Sequence, residues 1–412
     1  MENKYYQNLL LKEKEIKRNG MHSTHRYFGK LIPAIPGFAI KEFTKERDYV
    51  LDSFCGSGTT LLEAKTYNRN AFGVDLNPLS VFISKVKTTK IKPEKLMEGW
   101  LKMKKTIEND PKDYSKEIEP YCVNINHWFK DFVKGDLLKL RANIFKLPAG
   151  NIRNFFLGCF SAFLRGVSNA DPRHIFPGYS KRLRKLDAEG KREIDVFSAF
   201  EKAVLKRINY MNNLPLNDSK VKVFVGDSRN LPREIKNINL IVVNPPYISS
   251  IRYLETMKIE MGWLNFIKGQ KDYLDLDKKG IGTERFYKND LEEIPKTCIR
   301  KLDAQVNILQ KENQLKMAKV VATYFIDMLK SISEMNRVLN KRGHLVFKIS
   351  DSLVRKHLIP THQYFINIAE NLGMKTLATF QDKINKNSRS LLTTRNVYSG
   401  IITHDWILIF EK

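Results

Sequence analysis

The sequence predicts an α/β protein: a doubly wound, mostly parallel sheet with an antiparallel last strand, interrupted by an inserted and mainly helical region. Three observations predict it. A short apolar strand, Tyr49-Val50-Leu51-Asp52-Ser53-Phe54, runs into the glycine turn Cys55-Gly56-Ser57-Gly58-Thr59-Thr60 and then into a helix. A second strand, Ala71-Phe72-Gly73-Val74-Asp75, ends on a carboxylate, and Asn77-Pro78 then starts another helix with proline in its first turn. Far downstream, the apolar run Leu240-Ile241-Val242-Val243 stops abruptly at Asn244-Pro245-Pro246-Tyr247. Strand, helix, strand, helix is how a Rossmann-like sheet opens.

The remaining elements follow in order. Thr60-x-x-Glu63 has the form of a capping box for the first of these helices, with Leu61, Leu62 and Ala64 on its apolar face. From residue 90 to 220 the alternation breaks off into a basic, aromatic stretch with helical patterning. Val221-Lys222-Val223-Phe224-Val225 resumes the strands and ends at Gly226-Asp227. A second interruption covers 248–314, and a long amphipathic helix is expected over 315–339. After a turn at Asn340-Lys341-Arg342-Gly343 come a strand over 344–349, a helix near 362–372, and strands over 374–380 and 404–410. The last two suit an antiparallel pair at the sheet edge. The chain thus divides into 1–89, an N-terminal segment with the first half of the sheet domain; 90–220, a helical insert; 221–247, sheet ending in the Pro-Pro turn; 248–314, a second insert; and 315–412, the rest of the sheet domain.

Composition narrows the partners. The 412 residues carry 71 Lys and Arg against 45 Asp and Glu, a net charge of +26, with 42% hydrophobic content. That size and apolar content support a sizeable core, and the charge favours a polyanion, nucleic acid foremost. No apolar run reaches the ~18 residues of a membrane span, and the N-terminus lacks the apolar stretch of a secretory signal. Cys55, Cys122, Cys159 and Cys298 are scattered without zinc-like spacing, as in a reduced, cytoplasmic protein.

The chemistry lies at the strand ends. Gly56-Ser57-Gly58 lacks the third glycine of a dinucleotide fingerprint, since position 61 is Leu61. What it retains is a tight turn that lets backbone N–H groups approach a ligand. Asp75 stands where a carboxylate accepts two ribose hydroxyls, while Phe54 and Asp227 can flank an adenine ring. In Asn244-Pro245-Pro246-Tyr247 the prolines hold an amide oxygen beside an aromatic face. A flipped-out nucleobase needs both, an acceptor for its amino group and a surface to stack on.

Taken in order, Asp52-x-Phe54-x-Gly56-x-Gly58-Thr59, Gly73-x-Asp75-x-Asn77-Pro78, Gly226-Asp227 and Asn244-Pro245-Pro246-Tyr247 resemble the amino-group DNA methyltransferases, which modify exocyclic amines of adenine or cytosine. The resemblance covers about half of the chain and extends to His25-Arg26-Tyr27-Phe28-Gly29-Lys30-Leu31-Ile32-Pro33 and to the late strands. It implies S-adenosylmethionine as methyl donor, held by Lys30, Pro33, Asp52, Phe54, Gly56, Gly58, Thr59, Asp75, Asn77 and Asp227. It implies a catalytic turn in which Asn244 and the carbonyl of Pro245 accept from the target amine, Pro246 stiffens the turn, and Tyr247 stacks on the base. Neither a metal nor a covalent intermediate is required.

The substrate expected is double-stranded DNA, with a companion restriction endonuclease if the enzyme is half of a modification system. Asn244 resembles the adenine-N6 members, which are favoured over the cytosine-N4 members. The Phe-Cys-Gly-Ser-Gly-Thr-Thr turn and Tyr253 with Lys258-Ile259-Glu260 resemble the latter. For DNA contact the sequence offers Arg165, Arg173, Lys181, Arg182 and Arg184 in the first insert and Arg252 and Arg285 in the second. Arg389 and Arg395, with Lys386, follow in the late loop. Gly280 to Arg285 is expected as a loop closing on DNA, and the Phe155, Phe156, Phe160, Phe163 series with Trp128-Phe129 as the insert's core. RNA base methylation, protein glutamine methylation and a non-catalytic nucleic-acid-binding role are the alternatives on this fold. The charge and the basic insert weigh against a protein substrate, and the intact set of motif residues against lost activity.

Overall fold

A computed structural model describes residues 2–18, 20–114, 117–248, 252–286, 293–383 and 404–412. Its strands are β1 (Tyr49–Asp52), β2 (Asn70–Asp75), β3 (Val221–Val225), β4 (Ile238–Val243), β5 (Leu339–Ile349), β6 (Ser352–Val354), β7 (His357–Ile359), β8 (Lys375–Lys383) and β9 (His404–Glu411). Seven of them form one sheet in the order β3-β2-β1-β4-β5-β9-β8, and β6 with β7 makes a separate hairpin. The first five in that order pair in parallel, while β9 runs antiparallel to both β5 and β8. The order reverses between β1 and β4, so the crevice at the carboxyl ends of those strands is the switch point of a doubly wound sheet.

Side chains alternate between two apolar layers, as strand geometry requires. Leu51, Val74, Ile241, Val243, Phe347 and Phe410 face a layer built on the helices Leu315–Val338 and Thr361–Asn371. Val50, Ala71, Leu240, Val242, Val346 and Ile409 face the other, where Ala34–Phe43 and Thr59–Thr66 pack.

Two local expectations give way. The helix after the glycine turn begins at Thr59 on left-handed Gly58, with no side-chain cap. Glu63 instead lies buried against His22 at 2.7 Å and Arg18 at 3.2 Å, so tertiary charge pairing displaces the capping box. The residues 340–343, expected as a turn, are absorbed into β5 because Arg342 and Gly343 pair with Lys412; the ladder with β4 accommodates them by a register shift.

The stretch between β2 and β3 is helical, led by Pro93–Glu108, Asp131–Lys146, Asn151–Val167 and Val196–Met211. Trp100, Phe155, Phe156, Phe160, Phe163 and Phe200 fill its core together with Ile259 and Trp263 from the segment after β4. Trp263 is fully buried, edge-on to Phe129 at 5.4 Å and to Phe160 at 5.9 Å, and its carbonyl accepts from Arg141. The two interruptions therefore share one core. Trp263→Ala should cost about 3–5 kcal/mol in urea unfolding, the range for truncating a buried aromatic.

Candidate active site

The carboxyl ends of β1 to β5 open into one cavity of about 2420 Å³. That exceeds the ~300–1,000 Å³ of an ordinary small-molecule site, so it accommodates two ligands side by side. Its walls include Phe54, Gly56, Asp75 and Asp227 on one side and Asn244, Tyr247 and Lys348 on the other.

The glycine turn forms the first wall. Gly56 (φ +47) and Gly58 (φ +72) are both left-handed, and a Cβ on Gly56 would press on the Tyr27 ring at 3.0 Å. The Gly56 N–H donates to Asp75 Oδ2 and the Asn77 N–H to Asp75 Oδ1, each at 2.8 Å. Asp52 accepts from the Phe54 N–H at 3.1 Å. Burial pushes the Asp75 carboxyl up to about 6 against the pull of these N–H groups, and Asp52 up to about 7. Asn77 caps the helix Pro78–Thr88 through its Oδ1, which leaves its buried Nδ2 without a partner. The buried Ser53 hydroxyl on the same wall is also unpartnered. Orphaned polar atoms beside a backbone turn and a buried carboxylate fit a polar ligand with hydroxyls, as a nucleoside has.

Not every predicted donor residue lies on that wall. Pro33 begins the helix Ala34–Phe43 and is not part of the lining; the chain reaches the cavity through Lys30, Leu31 and Ile32 instead. Lys30 is tied to the carbonyls of His22 and His25 at 2.9 and 3.0 Å, and burial lowers its pKa. Gly58 shapes the turn from behind, against Ser84, while the buried Thr59 contributes to the cavity lining. Asp227 lines the cavity, but Arg229 grips both of its oxygens at 2.6 to 3.1 Å and reaches on to Asp327 and the Lys279 carbonyl.

The opposite wall is the Pro-Pro turn. Asn244 Nδ2 donates to the Gly29 carbonyl at 3.0 Å, and its Oδ1 accepts from the Tyr247 hydroxyl at 3.2 Å. Pro245 is buried and not part of the lining, whereas the Pro246 carbonyl is pinned by the Tyr324 hydroxyl at 3.0 Å. Tyr253 packs over Gly29, close enough that a Cβ there would meet its ring at 3.2 Å. The loop 280–285 closes the cavity beside this turn, with Gly282 set under the Tyr247 carbonyl. The sequence names Tyr253 only for its resemblance to cytosine-N4 enzymes and assigns neither Tyr324 nor Lys348 to this site. The legible signal was Lys348, a charge inside the apolar strand Leu345 to Ile349.

The basic residues separate into two groups. Arg165 is a correction: it is 3% exposed, donates to the carbonyls of His174, Ile175 and Thr256, and faces Glu260 at 3.7 Å. It braces the loop 173–178 from beneath and is in no position to touch DNA. Arg173 and Arg182 are exposed but lean on the buried Asp171 carboxylate, and Arg285 pairs with Asp277. Lys181 and Arg184 are exposed on the helix Lys181–Ala188, Arg184 over the Tyr179 ring, and Arg252 is exposed at the cavity rim. Arg389, Arg395 and Lys386 lie outside the described residues. His25 is structural: burial pushes its pKa down to about 3, and it bonds the Arg26 carbonyl and Ser161.

Two outcomes are expected. Arg165→Met should destabilise the fold by about 3–5 kcal/mol in chemical unfolding by stranding the buried Glu260, while leaving the salt dependence of DNA binding unchanged. Ionised Asp75 offers both oxygens as acceptors and its protonated form turns one into a donor. If it holds the two hydroxyls the resemblance assigns to it, calorimetric affinity for S-adenosylmethionine should be full at pH 8 and fall up to ~10-fold per unit below pH ~6. Asp75→Asn should be weaker at pH 8 and show a shallower slope.

A family model described as DNA methylase matches residues 3–85. The chain is 26% identical over 433 residues to the Type II methyltransferase M.MvaI of Kocuria varians, spanning 96% of this chain and 93% of that protein. It is 35% identical over 109 residues to the Type II methyltransferase M.MjaII of Methanocaldococcus jannaschii, 26% of this chain and 20% of that one. Among solved structures, a TehB-like methyltransferase from Corynebacterium glutamicum superposes at a TM-score of 0.31 with 8% identity, over 93% of this chain and 90% of that one. So loose a superposition carries no argument, and the fold rests on the strand order itself. The glycine turn, the Asn-Pro-Pro-Tyr turn and a near full-length relative agree in supporting the N6/N4 DNA methyltransferase family, and with it S-adenosylmethionine as methyl donor.

Proposed function

We propose that this enzyme methylates the exocyclic amino group of a base flipped out of double-stranded DNA, adenine N6 ahead of cytosine N4, as the modification partner of a restriction endonuclease. The observation that carries the reading is the Asn244 carboxamide, held from both sides on the wall of a cavity that also contains the glycine turn. S-adenosylmethionine, when bound, supplies a methyl group on a sulfonium. Gly56, Asp75 and Asn77, with the orphaned Ser53 hydroxyl, are the groups suited to hold its polar parts. The motif resemblance extends this set to Phe54 and Asp227. Asp227 would have to share its carboxylate with Arg229.

An exocyclic amine is a poor nucleophile because its lone pair is delocalised into the ring. Asn244 Oδ1 is the acceptor on the cavity wall, and the resemblance adds the carbonyl of Pro245, which is buried here and would have to be uncovered. Two acceptors for the amine hydrogens would draw that lone pair out of conjugation and fix its direction. The Tyr247 ring offers a face for the base. Exposed Lys181, Arg184 and Arg252 suit backbone phosphates, and Arg173 and Arg182 would contribute without fully leaving Asp171.

Adenine is favoured by the carboxamide at 244, as in the adenine-modifying members the motif resembles. The cytosine reading has its own observation. Tyr253 braces Gly29, the residue that holds Asn244, and Glu260 anchors Arg165, so the segment resembling cytosine-N4 enzymes is built into the site. Expression in a methylation-free host, followed by sequencing that distinguishes N6-methyladenine from N4-methylcytosine, names base and site together. Asn244→Ala should reduce tritiated-methyl incorporation by at least ~10³-fold with donor affinity kept within about 3-fold; undiminished incorporation would remove Asn244 from catalysis.

A further inference from the structure

A carboxamide is nearly symmetric in shape, so packing alone does not tell its oxygen from its nitrogen. At Asn244 the distinction decides function. Turned around, the group would present N–H donors to an amine that also only donates through its hydrogens. Its orientation must therefore come from partners with a fixed hydrogen-bonding sense.

Two such partners terminate the chain of bonds through Asn244. Lys348 Nζ donates to the Tyr247 hydroxyl oxygen at 2.7 Å and stands 2.9 Å from Asp405 Oδ2. An ammonium has donors and no acceptor, so the Tyr247 oxygen must receive there and send its own proton onward to Asn244 Oδ1. At the far end, the Gly29 carbonyl can only accept, and Asn244 Nδ2 donates to it. Both ends demand the same orientation.

Resting on the reading of Asn244 as the amine acceptor, we propose that Lys348, held by Asp405, is a positioning residue for methyl transfer: it sets the direction of the Tyr247–Asn244 chain and keeps the carboxamide oxygen toward the substrate. The sheet is built for this. Lys348 is opposite Ile407 in the β5–β9 ladder, which puts Asp405 two residues away on the same face. The second oxygen of Asp405 is taken by the Ser350 hydroxyl. The Lys348 and Asp405 side chains are only 12% and 10% exposed, a placement that is costly for an ammonium unless it is paired. Burial alone would lower the lysine pKa, yet Tyr247 and Asp405 raise it above its ordinary value, so the group stays charged and donor-only.

A double-mutant cycle tests this. Lys348→Met should lower kcat for DNA methylation by ~10–100-fold with donor affinity unchanged by calorimetry, because only orientation at the amine is lost. In a Tyr247→Phe background, where the ring remains but the chain is already cut, the same substitution should add less than about 2-fold. Since Lys348→Met leaves Asp405 buried and unpaired, the double variant Lys348→Met/Asp405→Asn, which removes both charges, should show the same kcat loss in a folded protein. Full kcat in either Lys348 variant, or losses that multiply across the cycle, overturns the proposal. An Asn244→Ala protein that still methylates DNA would instead overturn the reading beneath it.

Discussion

The parallel pairing of β1 with β4, Val50 opposite Leu240 and Leu51 opposite Ile241, is the constraint on which the rest depends. Both strands leave the sheet at the same end, and the elements after them diverge, so the crevice between them cannot be closed by the sheet itself. The two turns that line it are opposites in backbone chemistry. The glycine turn bends inward through left-handed residues and brings an N–H group to Asp75. The proline pair has no N–H to give, so it ends the β4 ladder and holds the flanking Asn244 and Tyr247 side chains on the cavity wall. A wall built on a glycine turn thus faces one built on a proline turn, and a one-residue slip in β4 would turn Val243 into the crevice layer and Asn244 out of it.

The basic surplus of the chain is divided between structure and surface. Arg165, which is buried, and Arg207, which is half-buried, spend their donors on backbone carbonyls, Arg207 on those of Thr24 and Ala203, and Lys30 does the same from a half-buried position. These bonds hold the N-terminal segment and the loop 173–178 against the helical insert, beside the apolar contacts that Met21 and Leu62 make with the insert's core. Among the exposed basic residues are Lys181 and Arg184 on the helix Lys181–Ala188 and Arg252 at the cavity rim. Net charge counts both alike, although only the second produces a field in solvent.

Fold and site were legible to different depths. The strands and the glycine and Pro-Pro turns could be read because each is local: an apolar run, then a residue type that ends it. The two-layer alternation followed from the same pattern. Arg165 could not be placed, because its partners Glu260 and the Thr256 carbonyl come from the other interruption, and no spacing rule joins them. Glu63 looked like a capping residue for the same reason, its real partners Arg18 and His22 lying some forty residues back. Pro33 shares a motif with cavity residues yet lies one helical start beyond them. Asp227 was rightly placed at a strand end, but Arg229, two residues on, already occupies it. Lys348 had a readable signal, a lone charge in an apolar strand, whose meaning needed Asp405 across the sheet.

That pairing also answers an electrostatic objection to a lysine beside an amine that is being methylated. The nitrogen gains positive charge as its bond to carbon forms, and an uncompensated ammonium nearby would oppose it. Asp405, in contact with Lys348 and itself fixed by Ser350, cancels most of that field at distances beyond the ion pair, since an ion pair's potential falls faster than a lone charge's. The directional hydrogen bond to Tyr247 is short-range and survives the cancellation. On the donor wall the balance is reversed: Asp52 and Asp75 are carboxylates whose buried anionic forms are disfavoured, and a cationic sulfonium beside them would relieve that penalty as it binds. With donor and amine placed as proposed, the crevice would favour a positive charge on the donor side before transfer and tolerate one on the acceptor side afterwards, the direction in which a methyl sulfonium reaction moves charge.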